Sequence, residues 1–160
     1  MKLVECVPNF SEGRDKTKIA AIAGEIETVP GVKLLDVDPG ESTNRTVVTF
    51  IGPPDAAAEA AFRAIRKAAE VIDMRRHKGA HSRLGATDVC PFVPLSGVTM
   101  EECVALARAL GVRVAAELGI PVYFYEEAAQ CHERRNLAAV RQGEYEGLAE
   151  KLKDPAWAPD

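Results

Sequence analysis

The sequence predicts an α+β domain of the ferredoxin-like, split β-α-β class: a mainly antiparallel sheet with helices packed on one face, plus an extra C-terminal α-β unit. The chain has 160 residues, of which 47% are hydrophobic, enough to bury one core. Apolar residues recur with a period of two in some segments and with a helical period in others. The segments follow the order β-α-β-β-α-β-α-β. We assign residues 1–153 to one domain.

The first predicted elements are a strand and a helix. Residues 2–7 alternate in polarity as a half-buried strand does, and Pro8 and Asn9 end it. Ser11 is placed to cap the helix that follows. The apolar residues of this helix recur on one face: Ile19, Ile22, Ala23 and Ile26.

A hairpin and a second helix follow. Pro30 and Gly31 end the first helix, and residues 32–37 and 46–51 have the composition of two strands around a polar turn. Asp55 is placed to cap a helix whose apolar residues repeat every three or four positions. These residues are Ala58, Ala61, Phe62, Ile65, Ala68, Ala69 and Ile72.

A long loop and an edge strand connect the second helix to a third. Residues 73–87 have no apolar period and predict a loop, whereas 89–93 form a short apolar run. Pro91 within that run is typical of an edge strand. Thr99 and Glu102 make a capping-box pattern ahead of a third helix. Its apolar face contains Cys103, Ala107, Leu110, Val114 and Leu118.

The C-terminal part predicts a last strand and a tail. Gly119 ends the third helix, residues 122–125 read as a strand, and the charged segment 126–141 is partly helical. Residues 154–160 contain two prolines and Trp157. We expect them to form an extended, partly apolar segment by which the chain leaves this domain.

Composition and charge exclude several functional classes. Lys and Arg number 20 against 24 Asp and Glu, so the chain lacks the basic excess of a nucleic-acid-binding protein. The apolar runs are too short to span a membrane and no leader pattern follows Met1, so we expect a cytoplasmic protein. The four cysteines lie far apart without a C-x-x-C pair, which favours reduced thiols over disulfides or zinc: Cys6, Cys90, Cys103 and Cys131.

The densest group of chemistry-bearing residues is the loop 75–83, with four cations and two histidines in nine positions. A histidine there can exchange a proton near neutral pH, and the cations would attract a carboxylate-bearing small substrate. The alternative is a solvated loop without function. Gly79 would allow close backbone approach between the histidines. His77 and His81 are four residues apart, as in the H-E-x-x-H metal-binding pattern. The second position of that pattern holds no acidic residue in this chain, so we expect no metal.

Two further polar segments are candidates. Asp36 and Asp38 would point the same way at the end of a strand, where they could orient a histidine or bind an amine. The alternative is that Asp38, Pro39 and Gly40 simply make the turn. In the segment 7–13, Ser11 and the first helical N–H groups could cap the backbone or receive an anion.

Several long and chemically unusual strings occur along the chain. They occupy residues 3–13, 34–38, 42–47, 52–54, 72–74, 77–79, 81, 83, 88–92 and 157–160. Together they extend over essentially the whole chain. On these strings the chain resembles the N-terminal subdomain of the glutamate formiminotransferase family.

The resemblance implies transfer of a formimino group between N-formimino-L-glutamate and tetrahydrofolate, a folate-dependent one-carbon step of histidine degradation. Tetrahydrofolate would be the co-substrate, with no metal. The catalytic histidine of the family falls on His81, which would transfer a proton at the attacking or leaving amine. Asp38 is the aspartate that we pair with it. The implied substrate-binding residues are Asn9, Ser11, Arg45, Lys78 and Arg83.

The family's transferase module has two similar subdomains with the folate groove between them, and this chain corresponds to the first. The resemblance thus implies that the tail 154–160 leads to a second subdomain, which is absent from this chain. An alternative function is therefore a non-catalytic folate-binding or subunit-interaction module that needs a separate second half. A sheet covered by helices on one side leaves its other face in need of a partner. We expect a homodimer or pairing with a second formiminotransferase subdomain.

Overall fold

The structure is a computed structural model that describes residues 1–160, and it confirms the α+β class. The strands are β1 (Leu3–Cys6), β2 (Asn9–Phe10), β3 (Lys33–Gly40), β4 (Arg45–Gly52), β5 (Thr87–Val89) and β6 (Phe92–Ser96). The α-helices are α1 (Lys16–Glu27), α2 (Pro54–Val71), α3 (Met100–Leu118), α4 (Leu137–Arg141) and α5 (Glu144–Lys151). Short 3-10 helices lie at Glu126–Ala128, His132–Arg134 and Pro155–Trp157.

The sheet has the strand order of a split β-α-β fold. β1 and β2 follow one another along β4, and β6 and β5 continue along the opposite side of β1 and β2, so each pair acts as one interrupted strand. β3 pairs with the other side of β4, and all of these pairings are antiparallel. α1 connects β2 to β3 along the chain. In the sheet, β4 lies between β3 and the line formed by β1 and β2, so it separates the strands that α1 connects.

The core lies between one face of the sheet and the helices. In β1 and β4 alternate residues are buried, Val4 and Cys6 in the first and Val48 and Phe50 in the second. α1 and α2 pack on each other and on this face, while α3 packs on α2 and β6. The face of α2 that enters the core is rich in fully buried alanines, which let the helix approach its neighbours closely: Ala57, Ala60, Ala61, Ala64 and Ala68.

The ends of α3 follow the sequence prediction. The Thr99 side chain accepts a hydrogen bond from the Glu102 N–H, and the Glu102 carboxylate accepts one from the Thr99 N–H. This reciprocal pair satisfies two N–H groups that the helix leaves without partners. At the other end Gly119 adopts the left-handed conformation, with φ of 67°, that closes the helix.

The predicted caps of α1 and α2 are wrong. Asp15, not Ser11, caps α1, since its carboxylate accepts hydrogen bonds from the second and third N–H groups of the helix region. α2 begins at Pro54 after Pro53, and Asp55 lies in its first turn without a capping hydrogen bond. Proline suits the first helical position because its missing N–H would have had no partner there.

The strands differ from the prediction at three places. Residues 9–10 form the additional strand β2, and the predicted edge strand is divided into β5 and β6 by Cys90 and Pro91. Residues 122–125 do not join the sheet. Their backbone groups bind Asp160 instead: the Phe124 N–H donates to its carboxylate, and the Asp160 N–H donates to the Val122 carbonyl.

The tail is folded back rather than extended. Residues 155–157 form a 3-10 turn, and the Tyr123 hydroxyl donates to the Trp157 carbonyl at 2.6 Å. Arg134 lies beside the two aromatic rings and forms an ion pair with Asp160 at 2.9 Å. These contacts attach the tail to the residues that precede it.

The sheet face away from α1, α2 and α3, which we call the uncovered face, is partly open to solvent. Val93, which pairs with Glu5 on this face, and Leu35 in β3 are exposed hydrophobic residues. Both edges of the sheet contain proline, Pro39 in β3 and Pro94 in β6. No helix is long and apolar enough to cross a membrane.

Candidate functional site

The polar residues singled out from the sequence gather at one end of the sheet. The interrupted strand of β1 and β2 and the strand β3 both end there, while β4 begins at Arg45 and β5 at Thr87. The loop between α2 and β5, which contains both histidines of the basic segment, reaches the same end. Elements distant in sequence thus converge on one small region.

Asn9 and Asp38 lie in one row across the uncovered face. Each is paired with Val47, Asn9 from the β2 side and Asp38 from the β3 side. Val47 points away from the helices because its neighbour Val48 enters the core. The backbones of Asn9 and Asp38 are therefore two strand spacings apart, about 10 Å.

The histidine loop is pressed against the turn between β3 and β4. The Ala80 N–H donates to the Ser42 carbonyl at 3.1 Å. A Cβ at Gly79 would lie only 2.2 Å from the Thr43 carbonyl oxygen, so this position has no space for a side chain. The close approach expected at Gly79 is therefore present, and its partner is the hairpin turn.

Asn44 connects three segments at this end of the sheet. Its side-chain oxygen accepts from the Gly13 N–H at 2.9 Å, and its side-chain nitrogen donates to the Lys78 carbonyl at 3.0 Å. Its own carbonyl accepts from His77. The residue is buried and has a left-handed backbone, with φ of 48°, a conformation that asparagine tolerates better than most residues. In the sequence Asn44 falls only within the predicted turn between two strands, so its long-range partners have no local signal.

His77 is a buried connector. Its Nε2 donates to the Asn44 carbonyl at 2.8 Å, and its Nδ1 accepts from Arg83 Nε at 2.8 Å. A carbonyl can only accept and a guanidinium can only donate, so these partners fix the tautomer. Both ring nitrogens are occupied, which leaves His77 no atom for a substrate.

Arg83 is buried and uses all of its donors inside the protein. Its guanidinium donates to the ring and carbonyl of His77 and to the carboxylates of Glu144 and Glu146. The hydrogen bond from Arg83 is the main cause that lowers the pKa of Glu146 to about 2, and Glu146 in turn raises the pKa of Arg83. This arginine, expected to bind substrate, holds the histidine loop to α5.

Among the residues of this loop between its two anchors, His77 and Arg83, His81 and Lys78 have groups that remain available, whereas the exposed Arg75 and Arg76 pair with Asp73. His81 Nδ1 donates to the Ser82 carbonyl at 2.6 Å, so Nε2 is the nitrogen left to accept a proton. The side chain is partly exposed, and Lys78 is exposed without an ion pair. No hydrogen bond joins His81 to Asp38, whose side chain is exposed.

A cluster of Arg45, Asp88 and Arg141 lies beside Asn9. The Asp88 side chain is 0% exposed and accepts from Arg45 Nη1 at 2.8 Å and from Arg141 Nε at 2.9 Å. Arg45 Nε also donates to Asn9 Oδ1 at 3.0 Å. Burial lowers the pKa of Arg45, and the Asp88 carboxylate opposes that shift. Two guanidinium groups share one carboxylate, so the cluster has a net positive charge.

No local pattern in the sequence indicates the role of Arg141 or of Asp88, because the two arginines that Asp88 binds, Arg45 and Arg141, both lie far from it in the chain. Ser11, expected near the substrate, is buried and donates to the Gly85 carbonyl at 2.7 Å. It joins the start of the chain to the segment before β5. No group of three or more His, Cys, Asp and Glu side chains is arranged to hold a metal ion.

Comparison with known proteins assigns the chain to a family. The family model described as "Formiminotransferase domain, N-terminal subdomain" matches residues 3–160. The chain is 58% identical to formimidoyltransferase-cyclodeaminase of Rattus norvegicus over 99% of its own length and 29% of that protein. It is 54% identical to glutamate formimidoyltransferase of Thermoplasma acidophilum, covering 100% of the chain and 54% of that protein. For the Streptococcus pyogenes enzyme of the same name the identity is 48%, over 99% of the chain and 53% of that protein.

The chain thus spans about half the length of these two glutamate formimidoyltransferases and less than a third of the rat cyclodeaminase. The matched segment takes in both the histidine loop and the arginine cluster. The resemblance inferred from the unusual strings is confirmed at the level of the family. The chain belongs to the formiminotransferase domain family, as its N-terminal subdomain.

Proposed function

We propose that the chain is the N-terminal half of a glutamate formimidoyltransferase, which moves a formimino group between N-formimino-L-glutamate and tetrahydrofolate. The names and identities of the relatives support this proposal. The reaction would belong to histidine degradation and to one-carbon metabolism. Tetrahydrofolate would act as a co-substrate.

The observation that carries the proposal is the arrangement of His81. The loop is anchored on one side by His77 and on the other by Arg83, while His81 between them commits Nδ1 to a backbone carbonyl and leaves Nε2 available. The folate amine would attack the formimino carbon and pass its proton to Nε2. As the bond from that carbon to the glutamate nitrogen breaks, His81 would return the proton to this nitrogen.

The charges around His81 suit an anionic substrate. Lys78 is exposed on the same loop, and its ammonium group could contact a carboxylate of glutamate or folate directly. The net positive cluster of Arg45, Asp88 and Arg141 would act through its field and through Arg45 Nη2 and Arg141 Nη1, the guanidinium nitrogens without an internal partner. Arg83 would position the loop instead of binding substrate.

The second half of the relatives would complete the site. We propose that a second subdomain, or a second copy of the chain, meets this half and encloses the substrates. Without it, substrates would be held with less precise geometry, and a misplacement of about 1 Å can cost ~100-fold in rate. Asp38, exposed on the uncovered face, would reach His81 or a substrate amine only in that closed arrangement.

The test is formimino transfer by the purified chain, measured alone and after mixing with the second half of a close relative. His81→Ala should abolish turnover and leave the tetrahydrofolate affinity nearly unchanged. His132→Ala is the matched control, because His132 is exposed in a 3-10 helix away from the loop. Folate binding without turnover in every sample, including the mixture, would favour the non-catalytic binding module. Equal turnover of His81→Ala and the parent chain would refute the role of His81.

A further inference from the structure

Two of the four cysteines touch each other. Cys6 lies in β1 and Cys90 lies in the break between β5 and β6, and their Sγ atoms are 3.6 Å apart in a thiol-thiol hydrogen bond. The two residues are 84 positions apart in sequence, so no local spacing indicated a pair. Cys103 and Cys131 have no such neighbour.

The backbone around Cys90 can adapt to a shorter sulfur-sulfur distance. Cys90 and Pro91 lie outside both strands, and the Val7 N–H to Pro91 carbonyl bond is the hydrogen bond that joins this break to the neighbouring chain. A disulfide bond is about 2.05 Å long, so the sulfur atoms must approach by roughly 1.5 Å. Side-chain rotation and a small shift of an irregular segment can provide that movement.

The two thiols differ in access. Cys6 is fully buried, and burial together with the hydrogen bond to Cys90 raises its pKa. Cys90 is partly exposed and lines a cavity of about 590 Å³ between α3, the strands β5 and β6 and the segment 120–128. A small oxidant can therefore reach Cys90 through the cavity, while Cys6 is shielded.

We propose that Cys6 and Cys90 form a peroxide-sensitive dithiol that closes to an intramolecular disulfide. The Cys90 sulfur attacks one peroxide oxygen, the O–O bond breaks, and Cys90 becomes a sulfenic acid while the other oxygen leaves as water or alcohol. The Cys6 sulfur then attacks the Cys90 sulfur. The S–O bond breaks, and the hydroxyl group leaves with the Cys6 proton as water. Two thiols supply the two electrons that reduce one peroxide.

The disulfide would act on the arginine cluster. Cys90 is two residues from Asp88, the carboxylate that joins Arg45 to Arg141. Drawing the β5–β6 break toward β1 would shift the end of β5, and with it the position of this carboxylate. Oxidation of the pair is therefore expected to change the candidate site without touching any residue of the histidine loop.

The experiment uses the Cys131→Ser chain, which lacks the exposed thiol. Hydrogen peroxide is added in excess, the reaction is quenched, and the intact mass is measured. We expect a mass lower by two hydrogen atoms, and a peptide map without reductant that links the Cys6 peptide to the Cys90 peptide. In Cys6→Ser/Cys131→Ser, Cys90 should stop at a sulfenic acid that dimedone captures.

The wild-type chain gives an independent answer that needs no folded variant. A peroxide dose that fully oxidises Cys131 is followed by unfolding, alkylation and peptide mapping. Protection of Cys6 and Cys90 together, with Cys103 alkylated, supports the proposal. Alkylation of both Cys6 and Cys90, or a sulfinic acid on Cys90 beside a free Cys6, overturns it.

Discussion

Replacing Arg83 by methionine should destabilise the protein by removing the anchor of the histidine loop. The guanidinium satisfies two acceptors on His77, the ring Nδ1 and the carbonyl. Each buried acceptor left without a partner costs about 1–3 kcal/mol, which gives about 2–6 kcal/mol for the pair. The ion pairs with Glu144 and Glu146 add a smaller contribution, which solvent screening reduces because both carboxylates are about half exposed.

The assay is equilibrium unfolding in urea, with Arg135→Met as the matched control. Arg135 forms one ion pair, with Glu127, and both side chains are about half exposed. Its replacement should change the free energy of unfolding by less than about 1 kcal/mol. An Arg83→Met chain as stable as the control would refute the view that this guanidinium anchors the loop.

The same substitution should change the response to acid. Arg83 lowers the pKa of Glu146 from 4.5 to about 2 in the folded protein. A lowered folded pKa contributes stability above the unfolded value, and that contribution is lost as the pH falls from about 4.5 to about 2. Arg83→Met should therefore lose less stability than the parent chain over this range. Parallel acid titrations of the two proteins, followed by circular dichroism, would contradict the ion pair.

Two further substitutions probe the contacts that bring the site together. Gly79→Ala should lower the free energy of unfolding by about 1–3 kcal/mol, because the new Cβ meets the Thr43 carbonyl. The control Gly147→Ala in α5 meets no atom and should be neutral or stabilising by about 0.5–1 kcal/mol. Thermal unfolding compares the two variants, and equal effects would refute the close approach at Gly79. Asp88→Asn should cost about 3–5 kcal/mol, because it leaves the buried Arg45 and the partly buried Arg141 without their shared charge; a urea midpoint equal to that of the parent chain would show that the carboxylate does not neutralise them.

Local signals in the sequence predicted the elements whose partners lie nearby. The capping box at Thr99 and the stop at Gly119 depend on residues within one helical turn, and both are present. The prediction that Ser11 caps α1 is wrong, although serine is a good capping residue. The Ser11 hydroxyl instead binds the Gly85 carbonyl, 74 positions away in the sequence. The strand predicted at 122–125 failed for a similar reason, since its backbone binds the tail.

The ion pairs of the candidate site could not be predicted either, because their partners are distant in the sequence. Cations in a basic loop are typical of anion binding, and Lys78 keeps that possibility. Arg83 has partners 61 and 63 positions away, and Arg45 has one 43 positions away. Only the fold brings these carboxylates to the arginines. The proposed catalytic role of His81 depends on the family resemblance. That its Nε2 is free follows from the geometry of the loop, in which Nδ1 binds the Ser82 carbonyl.

The prolines at the two edges of the sheet restrict how this domain can assemble. Proline has no N–H, so neither Pro39 in β3 nor Pro94 in β6 can donate to an added strand. A strand added at either border would lack one hydrogen-bond donor, which disfavours growth of the sheet by a neighbouring molecule. We therefore expect a partner of this sheet to pack on its broad open surface, as a second layer instead of a further strand.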